Sequence, residues 1–198
     1  LPINVVSKYW NVELPMAEAI ESAKKYSDFN GSIIIEGIEI AERHGLSCKI
    51  VHSSLIELKK IIDSGIPPIV ILPGIPEITQ HASVITGYNE EEKTILHYIQ
   101  KGNQEGEQQE GAIPQNIFDR EWSEEGRLLI IISPSENLSN ITLENYSQDK
   151  SNRLCFNSEK LNILKNYPEV LSSLKESIEL DSNNSTALHL YGTMLNQQ

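Results

Sequence analysis

Residues 67–98 constrain the fold of this chain most, because they predict three consecutive strands with a histidine at the start of the second. The first strand is an apolar run at residues 69–72, bounded by prolines. Two β-rich runs follow at residues 82–87 and 94–99, joined by an acidic turn. His81 directly precedes the second strand, so the pattern places it at the open end of an antiparallel hairpin.

Helical patterns come before this hairpin. Residues 15–26 begin with a proline suited to a first helical turn and space their apolar residues helically. Ser32 is a candidate N-cap for a second helix that reaches His44, and a third apolar stripe ends at Gly65. Helices followed by an antiparallel hairpin favour the α+β class, with strands near Ile69, Val84, Ile95 and Leu129 in one sheet.

The order of these pieces resembles the C39-like cysteine peptidases, a papain-fold family of bacteriocin-processing domains. The shared order is an apolar strand, a Pro/Gly loop, His81, a strand ending in Thr-Gly-Tyr, a polar turn and another strand. The resemblance covers residues 1–134, the predicted peptidase-like domain. Its other parts are Tyr9-Trp10-Asn11 at the end of a first helix, a helical segment at 35–46, a last helix at 113–118 with Trp122, and a closing strand at 128–134.

The resemblance implies a thiol nucleophile at the start of the first helix, with His81 as general base. Matching the aromatic pair to the family places that cysteine a few residues before Leu1. The family's orienting acid should fall near Tyr98, where this chain has none. Gln100 is on the same strand face as Tyr98 and is the candidate orienter of His81, as an Asn is in papain, whereas His97 is expected to point away from His81.

Two functions remain open at this stage. One is a non-catalytic pseudopeptidase that binds a peptide or protein partner, which the missing acid favours. The other is an active cysteine peptidase whose nucleophile precedes Leu1, so enzymatic activity is left undecided. Cys48 alternates with apolar residues in a strand pattern and Cys155 precedes Phe156, so both predict buried packing positions. Two cysteines without a disulfide framework favour a reducing, cytoplasmic location.

The C-terminal part differs in composition. Residues 135–157 are rich in Ser and Asn and predict a linker. Within residues 167–192 one helix ends in a Leu-Asp-x-Asn-Asn turn and the next begins with Ala-Leu-x-Leu-Tyr-Gly, and this pattern resembles a tetratricopeptide repeat junction. Residues 158–198 are therefore predicted to be tetratricopeptide-like helices that break near 181–185, and the resemblance implies a surface for protein contacts. The polar stretch at 102–111 predicts a solvated flap rather than a calcium loop.

Charge and motif content exclude several other functions. The chain carries 28 acidic and 16 basic residues in 198, a formal charge of −12, which disfavours a nucleic-acid partner. The apolar runs are of strand length, so no membrane span is expected. The chain has no HExxH or CxxC pattern, and neither a metal nor a cofactor is predicted.

Overall fold

The computed structural model describes residues 2–26, 33–73, 80–100, 108–142 and 148–196. Its strands are β1 (Ser47–His52), β2 (Ile69–Pro73), β3 (Gln80–Asn89), β4 (Thr94–Gln100), β5 (Gln108–Pro114) and β6 (Leu128–Ser133). Its helices are α1 (Pro2–Tyr9), α2 (Met16–Lys25), α3 (Ile34–Arg43), α4 (Leu55–Asp63), α5 (Gln115–Glu124), α6 (Ser135–Ser139), α7 (Asp149–Ile163), α8 (Tyr167–Leu180) and α9 (Ser185–Asn196).

The strands form one antiparallel sheet in the order β1-β6-β2-β3-β4-β5. The predicted mixture of helices and antiparallel sheet is therefore confirmed, and the four strands expected to share a sheet do so. The central strands β2 and β6 are apolar almost throughout because helices cover both faces of the sheet. A strand buried on both faces has no position left for an exposed polar side chain.

Each face of the sheet has its own core. On one face, Phe118 and Trp122 of α5 pack with Leu58 and Ile61 of α4 against the strands. On the other face, α1 and α3 cover the sheet with residues that include Ile3, Val6, Ile35 and Ile38. Helix α1 ends as expected at the aromatic pair, with Asn11 in the left-handed region that closes the turn (φ 58°).

Two segments differ from their sequence-based expectations. Residues 108–111 belong to strand β5, which pairs with β4, rather than to a flap. Helix α6 and the start of α7 lie within residues 135–157, the expected linker, and α7 packs on β1.

The C-terminal tail is helical, as expected, with a break at 181–184. Leu1, the expected cap Ser32 and residues 102–107 lie outside the described residues.

No helix in the described ranges is both long enough and apolar enough to cross a membrane.

Candidate functional site

His81 lies near the start of β3, opposite Leu72 of β2, and is half-buried. Its Nδ1 is 3.1 Å from the carbonyl oxygen of Pro73. A carbonyl oxygen only accepts hydrogen bonds, so Nδ1 carries the proton and donates. In the neutral ring Nε2 then keeps its lone pair, and it is the nitrogen of His81 that can take a proton from another group.

The residues of β4 on the same face as His81 include His97. Side chains alternate along a strand, so His81, Ser83 and Ile85 share one face of β3. Ile85 is paired with His97, and Ser83 Oγ lies 2.9 Å from His97 Nδ1. The expectation that His97 points away from His81 is therefore wrong.

A β-bulge in the hairpin explains this error. Tyr88 pairs with Ile95 and Gly87 with Leu96, but the next pair is Ile85 with His97, so Thr86 is an extra residue on β3. Without that residue Ile85 would face Tyr98. A shift of one residue moves every side chain to the other face of the sheet.

His97 is a buried, neutral imidazole with a defined tautomer. It is only 7% exposed, and Ser83 Oγ donates to the carbonyl oxygen of Tyr98 at 3.3 Å. We assign the one proton of the Ser83 hydroxyl to the Tyr98 carbonyl, which only accepts, so that Ser83 Oγ accepts from His97 Nδ1 and Nε2 of His97 is unprotonated. Burial, and secondarily the neighbouring His81, lower the pKa of His97. A neutral ring cannot stabilise an imidazolium at His81 as a carboxylate does.

Tyr98 and Gln100 are the two positions where the sequence placed a residue that could orient His81. The side chain of Tyr98 lies on the opposite face and is 38% exposed. The backbone of Gln100 ends β4, paired with Gln108, but its side chain lies outside what the structure describes. The assignment of Gln100 as an orienter remains a prediction.

Helix α1 packs against β3 on the face opposite to that of His81. Ile3 and Val6 belong to the same core cluster as Val84, and Ala82 packs against that cluster. The far end of α1 is fixed by Trp10, whose Nε1 donates to the carbonyl oxygen of Ile132 at 2.9 Å. The expected approach of His81 to Leu1 remains a prediction, since Leu1 is outside the described residues.

Neither cysteine can serve His81 as a nucleophile. Cys48 and Cys155 are 4% and 5% exposed, and burial raises the pKa of both thiols. Cys48 is on β1, three strands from β3, or roughly 14 Å at the usual strand spacing. Cys155 is on α7, where its Sγ lies 3.3 Å from Ser177 Oγ. Both occupy packing positions.

Within the described ranges, His81 has no carboxylate partner in hydrogen-bond distance, and no group of three or more His, Cys, Asp or Glu side chains is arranged to hold a metal ion. A cavity of about 490 Å³ lies elsewhere, between α3, β1, α6 and α7, and is lined by Glu42, Lys49, Asp149 and Arg153 among others. Its charged side chains pair with one another.

The fold has a counterpart among solved structures. It is similar to the crystal structure of the peptidase domain of Streptococcus ComA, a bifunctional ABC transporter involved in a quorum-sensing pathway, with a TM-score of 0.50. The match covers 67% of this chain and 88% of that domain. The chain has a C39-like peptidase fold. At 18% identity the likeness concerns the fold alone. No protein-family model and no curated protein matches the chain.

Within this C39-like fold, sequence reasoning missed Ser83 and His97 as neighbours of His81. A signal was present in Gly87, since a glycine inside a strand pattern often marks a bulge. A bulge at that point reverses which residues of β4 share the face of His81.

Proposed function

We propose that the C39-like domain of this chain binds peptides without hydrolysing them. The observation that carries this proposal is the residue of β4 on the face of His81, a buried neutral His97 rather than an acid. In a hydrolytic triad the acid holds the base in one tautomer and stabilises its imidazolium form. Its replacement in a serine protease lowers kcat about 10⁴-fold. Here both histidines are held through Nδ1 by groups without negative charge.

The ligand class follows from the fold and the charge of the chain. The domain of ComA with the similar fold is a peptidase domain, and a peptidase acts on peptides. The formal charge of −12 favours association with a basic peptide over an acidic one. We therefore expect an extended, basic peptide near the His81 end of the hairpin.

A second function is thiol-dependent peptide hydrolysis, with a cysteine before Leu1 as nucleophile, His81 as base and Gln100 as orienter. One observation favours it, since Nε2 of neutral His81 keeps its lone pair. In this reaction Nε2 takes the thiol proton, and the thiolate attacks the peptide carbonyl and forms a thioester while the imidazolium returns the proton to the leaving amine. Water, activated by Nε2, then hydrolyses the thioester and regenerates the thiol.

The helical tail is a further proposed contact surface for proteins, and its tetratricopeptide character belongs to this proposal. Leu188 and Leu195 lie one above the other on α9 and are about half exposed. The two buried free thiols fit a cytoplasmic location, which is proposed on the same footing.

The test combines binding and cleavage in one set of samples. Labelled peptide pools, basic or acidic but of matched length, are incubated with the chain, with binding measured by fluorescence anisotropy and products by mass spectrometry. We expect binding of basic peptides, no cleavage, and several-fold weaker binding to His81→Ala. His52→Ala is the matched control, since His52 Nδ1 also donates to a backbone carbonyl, that of Gly126. Because the second function places its nucleophile before Leu1, cleavage is also measured on the chain extended at its N-terminus by a cysteine-bearing segment. Cleavage by the extended chain that disappears in His81→Ala would establish the second function instead, and equal binding by the wild type, His81→Ala and His52→Ala would exclude this site.

A further inference from the structure

Strand β1 forms one edge of the sheet, since it pairs with β6 on one side and with no strand of the described ranges on the other. The backbone groups on the outer side of an edge strand are free to pair with a strand of another molecule. The sequence of β1, Ser-Cys-Lys-Ile-Val-His, has β-branched residues and a single lysine, so it is well suited to such pairing.

Side chains of α7 bind the outer backbone groups of β1. The amide N–H of Ile50 donates to Asp149 Oδ1 at 2.8 Å, and Asn152 Nδ2 donates to the carbonyl oxygen of Ile50 at 2.9 Å. Arg153 Nη2 donates to the carbonyl oxygen of Cys48 at 2.8 Å. One acceptor and two donors thus meet β1 in the positions that a neighbouring strand would use.

These side chains are fixed by their own partners. Asn152 is 2% exposed, and its Oδ1 accepts from Asn184 Nδ2 at 2.9 Å. Asp149 pairs with Lys49 at 3.2 Å, and Arg153 pairs with Glu42 at 2.6 Å. The hydrogen bonds to β1 therefore come from side chains that the fold holds in place rather than from mobile surface groups.

We propose that α7 is a substitute for an edge strand, and that the β1 edge it masks pairs with β1 of a second copy of this chain when the mask is removed. Antiparallel pairing of identical strands needs one two-fold axis, and Ile50 near the middle of β1 offers both an N–H and a carbonyl to it. This inference is independent of the proposed peptide binding.

The test removes the two side chains that bind Ile50, Asp149 and Asn152, and keeps the rest of α7, including Arg153. In Asp149→Ala/Asn152→Ala, the amide of Ile50 loses its acceptor, and we expect its hydrogen exchange to become roughly tenfold faster in dilute solution. At higher concentration we expect the light-scattering mass to rise to that of a dimer, with renewed protection of Ile50. Asp149→Asn keeps an acceptor oxygen and should resemble the wild type.

Lys160→Met is the matched control, because it weakens the packing of α7 on α3 but leaves the hydrogen bonds to Ile50 intact. Asn152→Asp breaks one of these hydrogen bonds without changing side-chain volume, since it places a carboxylate against the carbonyl oxygen of Ile50. The proposal is overturned if Asp149→Ala/Asn152→Ala or Asn152→Asp remains folded with unchanged mass and exchange, or if Lys160→Met self-associates equally. Unfolding of Asn152→Asp also overturns it, as does binding of a synthetic peptide of residues 46–53 without self-association.

Discussion

Substitution of Lys160 by Met should destabilise the chain in a way that depends on pH. Lys160 Nζ lies 2.6 Å from Oε1 of Glu36, a carboxylate that is only 6% exposed. Tyr26 Oη donates to the same carboxylate at 2.6 Å and Ser22 Oγ at 3.2 Å. The ion pair joins α7 to α3, so the change in the free energy of unfolding when it is lost reports how strongly the tail is attached to the sheet domain.

The magnitude follows from what the carboxylate loses. Breaking a fully buried ion pair costs about 3–5 kcal/mol, because one charge is left without a partner. Glu36 keeps two hydroxyl donors, so we expect a loss of about 2–3 kcal/mol in the free energy of unfolding at pH 7.

The pH dependence has a definite sign. Burial raises the pKa of Glu36, but the ammonium of Lys160 and the hydroxyls of Tyr26 and Ser22 outweigh it, and the pKa is lowered. A lowered carboxyl pKa contributes stability above the unfolded value of 4.5, which is lost as pH falls through the folded value. The cost of Lys160→Met should therefore shrink at acidic pH, where Glu36 becomes protonated.

Urea unfolding followed by circular dichroism at pH 7 and near pH 4 measures this difference. The double variant Glu36→Gln/Lys160→Met is the control, and at pH 7 it should be more stable than Lys160→Met alone. An equal loss at both pH values, or a double variant no more stable than Lys160→Met alone, would refute the electrostatic reasoning and assign the effect to packing.

Three other predictions follow from buried groups. Trp122→Ala should lower the free energy of unfolding by about 3–5 kcal/mol in the same urea assay, because the side chain is fully buried; a loss below 1 kcal/mol would contradict this. Iodoacetamide at neutral pH should label neither Cys48 nor Cys155 in the native chain and should label both in urea, as mass spectrometry can show. The pKa of His97 is lower in the folded chain than in the unfolded chain, so as the pH falls the unfolded chain binds a proton at His97 before the folded chain does. The free energy of unfolding should therefore decrease as the pH falls below about 6.5, and it should decrease less in His97→Asn.

The parts of the fold that sequence predicted are those with a local apolar pattern. Residues 69–72 and 128–132 are continuous apolar runs, and such runs are typical of strands that are buried on both faces of a sheet. The stripes of α3 and α4 are likewise periodic. Tyr9 and Trp10 marked the end of α1 because a left-handed Asn11 follows them.

The parts that sequence did not predict depend on distant partners. Residues 108–111 are polar and contain a glycine, so nothing local indicates a strand, and β5 exists because β4 supplies its hydrogen bonds. Asp149 belongs to a segment that the sequence predicted as a linker. Its partner is the amide of Ile50, 99 positions earlier, so no local pattern indicates that the segment is fixed to the sheet. The bulge at Thr86 is a third case, and it decides which residues of β4 share the face of His81.

The proposal of binding without hydrolysis depends on the arrangement of His81 and His97, and long-range ¹H–¹⁵N NMR of the histidine rings measures that arrangement directly. We predict that both neutral rings carry their proton on Nδ1 at alkaline pH and that Ser83→Ala changes the nitrogen chemical shifts of the His97 ring. We also predict that the pKa of His97 lies below the usual value for histidine. A His97 ring protonated on Nε2, or a His97 that ignores Ser83→Ala, would contradict the geometry on which the proposed function rests.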